Sequence, residues 1–378
     1  MDETQPLLTS HTAPPQNHNV AVSEASASLG LVGFDPNGDA ENPLQWSKAY
    51  KRGVVALLSF MAFTVYVLLL PSVLLHFPLI PHPLLTLPLR TFTCISVVPV
   101  ASHIIASLSG HDNPTSSILL VTIWEFGEAA GPLLIAPLSE TYGRYPVYLL
   151  ANLLFILGTL LSALSPSVPL LIFARFLTGF AVASNVLNPA IIGDIFPSEE
   201  RGAGMSLILV APLVGGAVGP AIAGAIAETW GWRSILWISA FVAILCEIFF
   251  LVLFRETYKV RILQRRAARL RKEKNDESIK CAWDIDGNGK EKKAWWVALK
   301  ISIIRPVTVL RGSVVLQIMS FHGGLVFVLY YILATTLPGM LKDIYGFSPA
   351  MVGASFLSFS KPLLTHQFSL RKIYWKED

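Results

Sequence analysis

The chain has 378 residues, of which 53% are hydrophobic and only 14% are charged, and its mean hydropathy is +0.56. A soluble domain needs a larger charged share to cover its surface, so this composition excludes an ordinary soluble globular protein. The formal net charge of +4 reflects one basic segment described below and gives no reason to expect a nucleic-acid partner.

The hydrophobic residues fall into runs long enough to cross a bilayer core of roughly 30 Å, for which a helix needs about 20 residues. The first run, Gly53 to Leu108, is irregular. Later spans are predicted at Ser117–Leu138, Val147–Leu164, Val168–Gly193, Met205–Ala227, Ile235–Phe254, Gly312–Leu337 and Pro349–Phe359. We therefore expect an all-α integral membrane protein with about eight spans.

The basic residues indicate which side of the membrane each segment faces. Of the 29 Lys and Arg residues, 16 lie between residues 255 and 311, and Lys48, Lys51 and Arg52 precede the first span. Because short basic segments stay on the cytoplasmic side, the amino terminus and the middle loop are predicted to be cytoplasmic.

Composition also divides the chain into segments. Residues 1–50 are predicted to be a disordered cytoplasmic tail, 51–254 a six-helix half, 255–311 a basic cytoplasmic loop, 312–360 part of a second half, and 361–378 an atypical polar tail. The basic loop begins with a potential amphipathic helix. Two interpretations are open: the helix lies on an anionic inner leaflet, or it is a solvated linker.

Residues 68–91 do not fit this layout, because they form a Leu-rich stretch with five prolines. So many prolines remove helix hydrogen bonds that lipid cannot replace. We expect this stretch to be foreign to the fold, for example from an unspliced intron, with Gly53–Val67 joining Thr93–Ile105 as one helix. Only part of a second half follows the loop, so we also expect a truncated chain.

A short polar hairpin, APLSETYGRYPVY from Ala136 to Tyr148, separates the second and third spans and carries Glu140, Gly143 and Arg144. It is either a gate loop or a topology signal provided by one arginine. In the fourth span, ARFLTGFAVA contains Arg175. An arginine within a span is costly, so it faces a cavity or partner, or it snorkels to the outer surface.

The fifth span contains regularly spaced small residues. Starting from Ser206, the string SLILVAPLVGGAVGPAIAG places Gly215, Gly219, Pro220 and Gly224 in one register. Small residues three or four positions apart let helices approach closely, and a Gly-Pro pair bends a helix. This span is predicted to pack tightly against another helix.

Ionisable residues inside spans are candidates for function. Glu125 and Glu128 are three residues apart in the second span and share one helix face, where a carboxyl group can carry protons or hold a cationic substrate. Glu125 is alternatively a simple outer-vestibule residue. His103, near the outer end of the first span, is a further candidate. In the fourth span, Asn185 and Asn188 either line a cavity or make hydrogen bonds between helices. Asp194 and Arg201 are gate candidates.

No catalytic triad, phosphate-binding loop or metal-ligand cluster is recognisable in the sequence, so we expect neither an enzyme nor a cofactor or metal site. The string DIDGNGKEKKAW is similar to a calcium-binding loop but has Trp295 where a bidentate glutamate is needed. The three cysteines give no disulfide framework.

Taken together, these motifs resemble the major facilitator superfamily, in particular fungal twelve-span drug:proton antiporters, including polyamine exporters. The hairpin is similar to the superfamily loop GxLxDRxGRR, with Glu140, Gly143 and Arg144 at matching positions; Thr141 and Tyr145 replace basic residues. ARFLTGFAVA is similar to the motif RxxqGxgaa, and the fifth-span string is similar to the antiporter glycine motif. The strings ENPLQWSKAYKR and GDIFPSEERGAGMSL add to the resemblance.

This resemblance implies a complete six-helix amino-terminal half and a partial carboxy-terminal half. Because most of the second half is absent, we expect this chain to have little transport activity compared with a full-length form. It implies export of drugs, toxins or polyamines, hydrophobic or cationic, by alternating access and at the expense of a proton gradient. Glu128 would be the proton or cation site, Arg175 its electrostatic modulator, Glu140 and Arg144 a gate, and Gly215 to Gly224 the packing hinge.

Two other functions remain open: a truncated, non-transporting sensor or regulator, and a nutrient:proton symporter, which the fifth-span pattern disfavours. The expected partners are the lipid bilayer, protons and a small-molecule substrate, with the protein acting as a monomer. The plasma membrane is the expected location. The string ETQPLL fits an acidic dileucine signal and offers the vacuolar or endosomal membrane as the alternative.

Overall fold

The computed structural model describes residues 32–35, 38–61, 97–111, 113–276, 279, 281, 304 and 306–356. The anomalous stretch 68–91 and the polar tail 361–378 lie outside the described residues, as do the calcium-loop-like string and its Trp295.

The described part of the chain is built from α-helices. In chain order they are α1 (Lys48–Met61), α2 (Ala101–Ser109), α3 (Pro114–Tyr142), α4 (Arg144–Leu164), α5 (Val168–Val182), α6 (Leu187–Ile195), α7 (Arg201–Trp230), α8 (Trp232–Leu253), α9 (Lys259–Lys274), α10 (Val314–Tyr345) and α11 (Pro349–Ser355). Short 3-10 helices occupy Pro43–Gln45, Val98–Val100 and Ala183–Val186. The extended structure among these residues is one isolated bridge between Val32 and Cys281.

Among the described residues, five helical stretches are long and apolar enough to cross a membrane: α3, α4, the continuous stretch Val168–Ile195 that contains α5 and α6, α8 and α10. Helix α7 has 30 residues and covers the predicted fifth span. The observed helices overlap the predicted spans; α3 and α7 extend beyond them at both ends, whereas α11 ends at Ser355, before the predicted end of the eighth span. The all-α membrane class is therefore confirmed.

Glycines end the helices at two sharp reversals. Gly143 has φ +100° between α3 and α4, and Gly231 has φ +81° between α7 and α8. Side chains rarely adopt this left-handed backbone region, which glycine enters without steric cost. These two reversals make α3 antiparallel to α4 and α7 antiparallel to α8.

The fourth span is helical throughout but changes its winding at residues 183–186, where a 3-10 helix joins α5 to α6. Pro189 lies in the first turn of α6, and it has no N–H to donate to the carbonyl four residues earlier, which belongs to Asn185 in the 3-10 helix. A local change of helix type is a common response to this missing bond. The irregularity in the fourth span therefore lies beside a proline.

The described residues within 46–258 and 292–378 form one compact unit, and those within 1–45 and 259–291 form another. In the second unit, Leu263 and Ala267 of α9 are buried together with Cys281, and Val32 and Phe34 pack against them. The apolar face of α9 is thus covered by the protein's own chain. This packing favours a linker helix over one that lies on the leaflet.

Two ion pairs join the amino-terminal segment to α9 within this second unit. The Arg266 guanidinium contacts the Asp39 carboxylate, and Arg269 Nη2 lies 2.6 Å from Glu41 Oε1. Burial opposes ionisation of Asp39, but hydrogen bonds from the Glu41 backbone N–H, the Arg266 guanidinium and the Asp35 backbone N–H outweigh it, so the pKa of Asp39 is lowered. These contacts hold the described residues of the amino-terminal segment against α9; the disordered tail over residues 1–50 stays a prediction.

The first unit holds the membrane-length helices and a continuous apolar core. Its largest fully buried side chains include Tyr148 of α4 and Phe250 of α8, which stack with ring centroids 5.2 Å apart. Helix α10 is packed less closely than the other membrane-length helices: Ala334 is buried, but most of its apolar side chains are exposed. In a membrane such a surface meets lipid tails or other helices.

Candidate functional site

The hairpin between α3 and α4 forms a polar cluster at the end of the bundle that the basic residues predict to be cytoplasmic, here called the inner end. Arg144 is 8% exposed, and its Nη1 donates a hydrogen bond to Ser139 Oγ at 2.5 Å. Its Nε lies 3.5 Å from Asp194 Oδ2, and its guanidinium stacks over the Tyr258 ring at 4.8 Å. Arg144 thus connects the second, third and fourth spans to the segment after the sixth.

Glu256 holds the start of α4 from the other side of this cluster. Its Oε1 accepts hydrogen bonds from the backbone N–H groups of Arg144 at 2.9 Å, Tyr258 at 3.0 Å and Thr257 at 3.1 Å, and its Oε2 accepts one from Tyr145 N–H at 3.3 Å. The first backbone N–H groups of a helix have no partner within the helix, and a carboxylate there also interacts favourably with the helix dipole.

The resemblance makes Glu140 and Arg144 a gate, but in this structure Asp194 pairs with Arg144 and Glu256 accepts from the first N–H groups of α4. The Glu140 side chain is exposed, and no ion pair joins it to Arg144, although the structure describes both residues. Arg201 likewise does not pair with Asp194; it donates to the carbonyls of Phe196 and Gly193, both at 3.1 Å. Arg201 therefore caps the carboxyl end of α6 by hydrogen bonds to its last carbonyl groups.

The second and fourth spans cross in direct backbone contact. A Cβ placed on Gly179 of α5 would lie 2.0 Å from the Trp124 carbonyl oxygen, and one on Gly127 of α3 would lie 2.5 Å from the Phe176 carbonyl oxygen. Small residues are what allow such an approach between membrane helices. The crossing fixes the position of α3 where it carries Glu125 and Glu128.

Arg175 lies one turn before Gly179 in α5 and is 1% exposed, so its side chain is enclosed by protein. This burial contradicts the alternative in which Arg175 snorkels to the outer surface. The structure shows no ion pair between Arg175 and Glu128, both of which it describes, so direct pairing does not support the modulator role.

Two buried hydrogen bonds connect neighbouring spans within the amino-terminal half. Tyr148 Oη donates to Asn188 Oδ1 at 3.2 Å, and Asn152 Nδ2 donates to Glu247 Oε2 at 2.7 Å. Asn188 is therefore an interhelical hydrogen-bonding residue here. Tyr148 and Asn152 are not among the predicted candidates, because their partners lie 40 and 95 residues further along the chain.

The remaining candidates occupy separate places. His103 is exposed on α2, Asn185 is half-buried in the 3-10 turn between α5 and α6, and Ser206 is exposed on α7, where its Oγ donates to the Ala203 carbonyl at 2.9 Å. These three residues do not join the polar cluster around Arg144. Gly215 lies in the continuous helical backbone of α7.

The glycine pattern of the fifth span makes contact across the two halves. A Cβ on Gly224 of α7 would lie 2.2 Å from the Pro349 carbonyl oxygen, and one on Gly353 of α11 would lie 2.1 Å from the Pro220 carbonyl oxygen. Gly219 and Pro220 are buried as well. The predicted close approach of the fifth span is thus made with the eighth span.

Two further hydrogen bonds join the halves. Tyr331 Oη of α10 donates to Glu125 Oε1, and the Ala350 backbone N–H of α11 donates to Glu228 Oε2 at 3.1 Å. The residues that connect the halves in the described structure therefore include one predicted site residue, Glu125, and two that were not predicted, Tyr331 and Glu228.

Comparison with known proteins agrees with this architecture. Residues 52–364 match the family model described as the Major Facilitator Superfamily. The chain is 31% identical over 349 residues to the efflux pump radE of Floropilus chiversii, with 90% of this chain and 58% of that protein covered. It is also 31% identical over 344 residues to the MFS transporter fsa7 of Fusarium sp. (strain FN080326), with 91% and 62% covered.

A solved structure shares the fold. It is a bacterial homologue of the human lysosomal transporter Spinster, in an inward-facing and unoccupied conformation, with a TM-score of 0.58 and 16% identity over 84% of this chain and 60% of that one. The helices and their glycine-mediated contacts define a multi-pass helical membrane protein. The chain belongs to the major facilitator superfamily and spans less than two thirds of the length of the relatives named above.

Proposed function

We propose that the protein is a proton-coupled exporter that moves small organic compounds, hydrophobic or cationic, by alternating access between its two halves. The contact between Gly224 of α7 and the Pro349 carbonyl of α11 carries this proposal. It joins the two halves at the outer end through backbone atoms, without long side chains that would have to be rearranged. A transporter that opens alternately to each side needs contacts of this kind, which form in one state and separate in the other.

The inner cluster around Arg144 supports the same mechanism. Arg144, Asp194 and Glu256 bring the second, third and fourth spans and the segment after the sixth span into one polar unit. Such a unit lets the amino-terminal half move as a rigid body. Alternating access then needs the inner ends of the two halves to separate while the outer ends stay in contact.

Glu125 and Glu128 are the proposed proton carriers, because they lie on one face of α3 at its crossing with α5. A carboxyl group that takes up a proton on one side of the membrane and releases it on the other couples export to the proton gradient. Export, rather than uptake, is proposed because one relative is named an efflux pump and because the fifth-span glycine pattern resembles that of antiporters.

Reconstitution tests the proposal. Protein whose complete reading frame has been verified is placed in vesicles, a pH difference is imposed, and the movement of ethidium and spermidine is measured as representative hydrophobic and cationic cargo. We expect cargo to move against the proton flow, to stop when a protonophore is added, and to slow at least tenfold in Glu128→Gln. The exposed loop variant Glu199→Gln is the matched control and keeps the parental rate.

Other results would decide against this mechanism. Cargo that moves in the same direction as protons would indicate a symporter. Binding of cargo with no movement under either gradient would favour the sensor, and a Glu128→Gln protein with full coupling would remove Glu128 from the proton pathway.

A further inference from the structure

Glu247 is a buried carboxyl group that the proposed mechanism does not use. It lies in α8 and is 4% exposed, and its Oε2 accepts the hydrogen bond that Asn152 Nδ2 of α4 donates at 2.7 Å. Asn152 is itself 3% exposed. Both residues lie on helices other than α3 and α5, so this pair is separate from the proposed proton carriers Glu125 and Glu128.

The surroundings of Glu247 are mainly apolar. A small cavity between α1, α4 and α8 has room for about one water molecule. Among the described residues, its wall consists of Glu247, Asn152 and the side chains of Met61, Phe155, Ile156, Ala243 and Cys246. A charge enclosed by such side chains costs free energy unless water or another charge compensates for it. The packing around the cavity therefore favours the uncharged carboxyl group.

Aromatic rings lie between α4 and α8 on the inner side of this pair. Tyr148, one turn before Asn152, stacks on Phe250 with ring centroids 5.2 Å apart, and Phe250 stacks on Phe254 at 4.6 Å. Tyr148 and Phe250 are fully buried. Because these rings fill the space between the two helices, water reaches Glu247 from the inner side when α4 and α8 move apart.

The other titratable groups of these helices leave Glu247 as the carboxyl group at the cavity. The Cys246 thiol of α8 shares the wall, and the Tyr148 hydroxyl of α4 donates to Asn188 Oδ1 at 3.2 Å. The remaining charged residues of α8 and of the helices packed against it lie near helix ends. They are Lys48, Lys51 and Arg52 of α1, Arg144 of α4, Arg201 and Glu228 of α7, and Arg233 of α8.

We infer that Glu247 is a pH-sensitive switch built into the amino-terminal half. With its proton bound, it lets α4 and α8 close around the cavity. When it loses the proton, it favours a looser form of the same half, in which water reaches the carboxylate. Since opening releases a proton, the open form gains population as the pH rises. The inference concerns packing within one half and does not depend on the exporter proposal.

The native thiol of Cys246 reports the opening, because it is 3% exposed and lines the same cavity. The complete chain is purified in detergent and treated with N-ethylmaleimide at a series of pH values from mildly acidic to mildly alkaline. Mass spectrometry of the peptide that contains Cys246 gives its rate of modification. The same series is measured for Glu247→Gln, whose side chain stays uncharged at every pH and keeps an oxygen that accepts from Asn152.

The ratio of the parent rate to the Glu247→Gln rate isolates the effect of Glu247, because ionisation of the thiol itself affects both proteins. We expect this ratio to be close to one at acidic pH and to rise by up to about tenfold for each pH unit while Glu247 loses its proton. Glu247→Met is a second uncharged variant of similar size and gives the same comparison if Glu247→Gln folds poorly. Glu199→Gln, which removes an exposed loop carboxylate, is the matched control and should behave as the parent.

The switch is refuted if the ratio does not change with pH, or if Cys246 of the parent stays unreactive over the whole series. It is also refuted if Glu199→Gln removes the pH dependence as fully as Glu247→Gln, since the response would then reflect overall charge. Labelling does not require cargo movement. A pH response of the expected kind in a protein that fails the vesicle assay would support the switch and overturn the exporter proposal alone.

Discussion

The crossing of α3 and α5 gives a sharp test of the packing on which the candidate site depends. In Gly179→Ala the new Cβ would lie 2.0 Å from the Trp124 carbonyl oxygen, about 1.4 Å short of ordinary van der Waals contact. The obstacle is backbone, so a side-chain rotation cannot relieve it. The two helices have to separate, and we expect a loss of about 1–3 kcal/mol in unfolding free energy, as for other overpacked cores.

The same span provides the matched control. Gly193 in α6 is helical, and a Cβ placed there meets nothing within 4 Å. Gly193→Ala should therefore be neutral or stabilising by up to about 1 kcal/mol, because alanine has the better helix propensity. Gly158→Ala in α4 should have an intermediate stability, because its Cβ would lie 2.9 Å from the Thr178 Cγ2 methyl group. That group belongs to a side chain and can shift more easily than backbone.

The assay is the apparent melting temperature of the purified protein in detergent, measured for all three variants under the same conditions. The expected order of stability is Gly193→Ala at or above the parent, then Gly158→Ala, then Gly179→Ala several degrees below. If Gly179→Ala melts with the parent, the helices do not cross as closely as described. If Gly193→Ala is as unstable as Gly179→Ala, the loss reflects a general intolerance of the span and not this contact.

Three other expectations follow from the structure. Glu256→Ala removes the acceptor for four backbone N–H groups and should cost about 0.5–2 kcal/mol by melting in detergent, whereas Glu256→Gln keeps an oxygen acceptor and should cost less. The pKa of Asp39 is lowered from 3.8 in the folded protein, so its ion pair with Arg266 of α9 stabilises the fold above pH 3.8 and is lost as the pH falls through the lower, folded-state pKa. In the parent, protease cleavage of residues 32–45 should therefore rise in that acidic range. In Asp39→Asn it should be high at every pH. Transcript sequencing should show residues 68–91 to be removable by splicing, and a continuous message matched by peptides from this stretch would contradict that hypothesis.

The spans themselves could be predicted because their signal is local. Runs of apolar residues fix α3, α4, α7 and α8 to within a few residues, and the glycine register of α7 indicates close packing without any knowledge of the partner. Which helix lies opposite Gly224 depends on the arrangement of the two halves. That information is spread over the whole chain and is absent from the motif.

The partners of charged residues could not be predicted for the same reason. The hairpin sequence identifies Arg144 as a candidate, and the nearest acidic residue in the sequence is Glu140. The structure instead brings in Asp194, 50 residues away, and Glu256, 112 residues away. Glu256 is an acidic residue shortly after an apolar span, a position from which a carboxylate can reach neighbouring helix ends. Nothing local in the sequence distinguishes it from other loop residues.

The described helices also bear on the irregular first span. Helix α1 has 14 residues, which at about 1.5 Å per residue is too short to cross the hydrocarbon core alone. Tyr50, near the start of α1, donates a hydrogen bond to the Leu253 carbonyl at the end of α8, at 2.7 Å. Ser107, in the last turn of α2, accepts one from Trp232 Nε1 at the start of α8, at 3.1 Å. Since α8 runs from Trp232 to Leu253, α1 begins beside its end and α2 ends beside its beginning. The two short helices therefore occupy opposite ends of one antiparallel path along α8, which is the geometry expected if they are the two parts of a single first span.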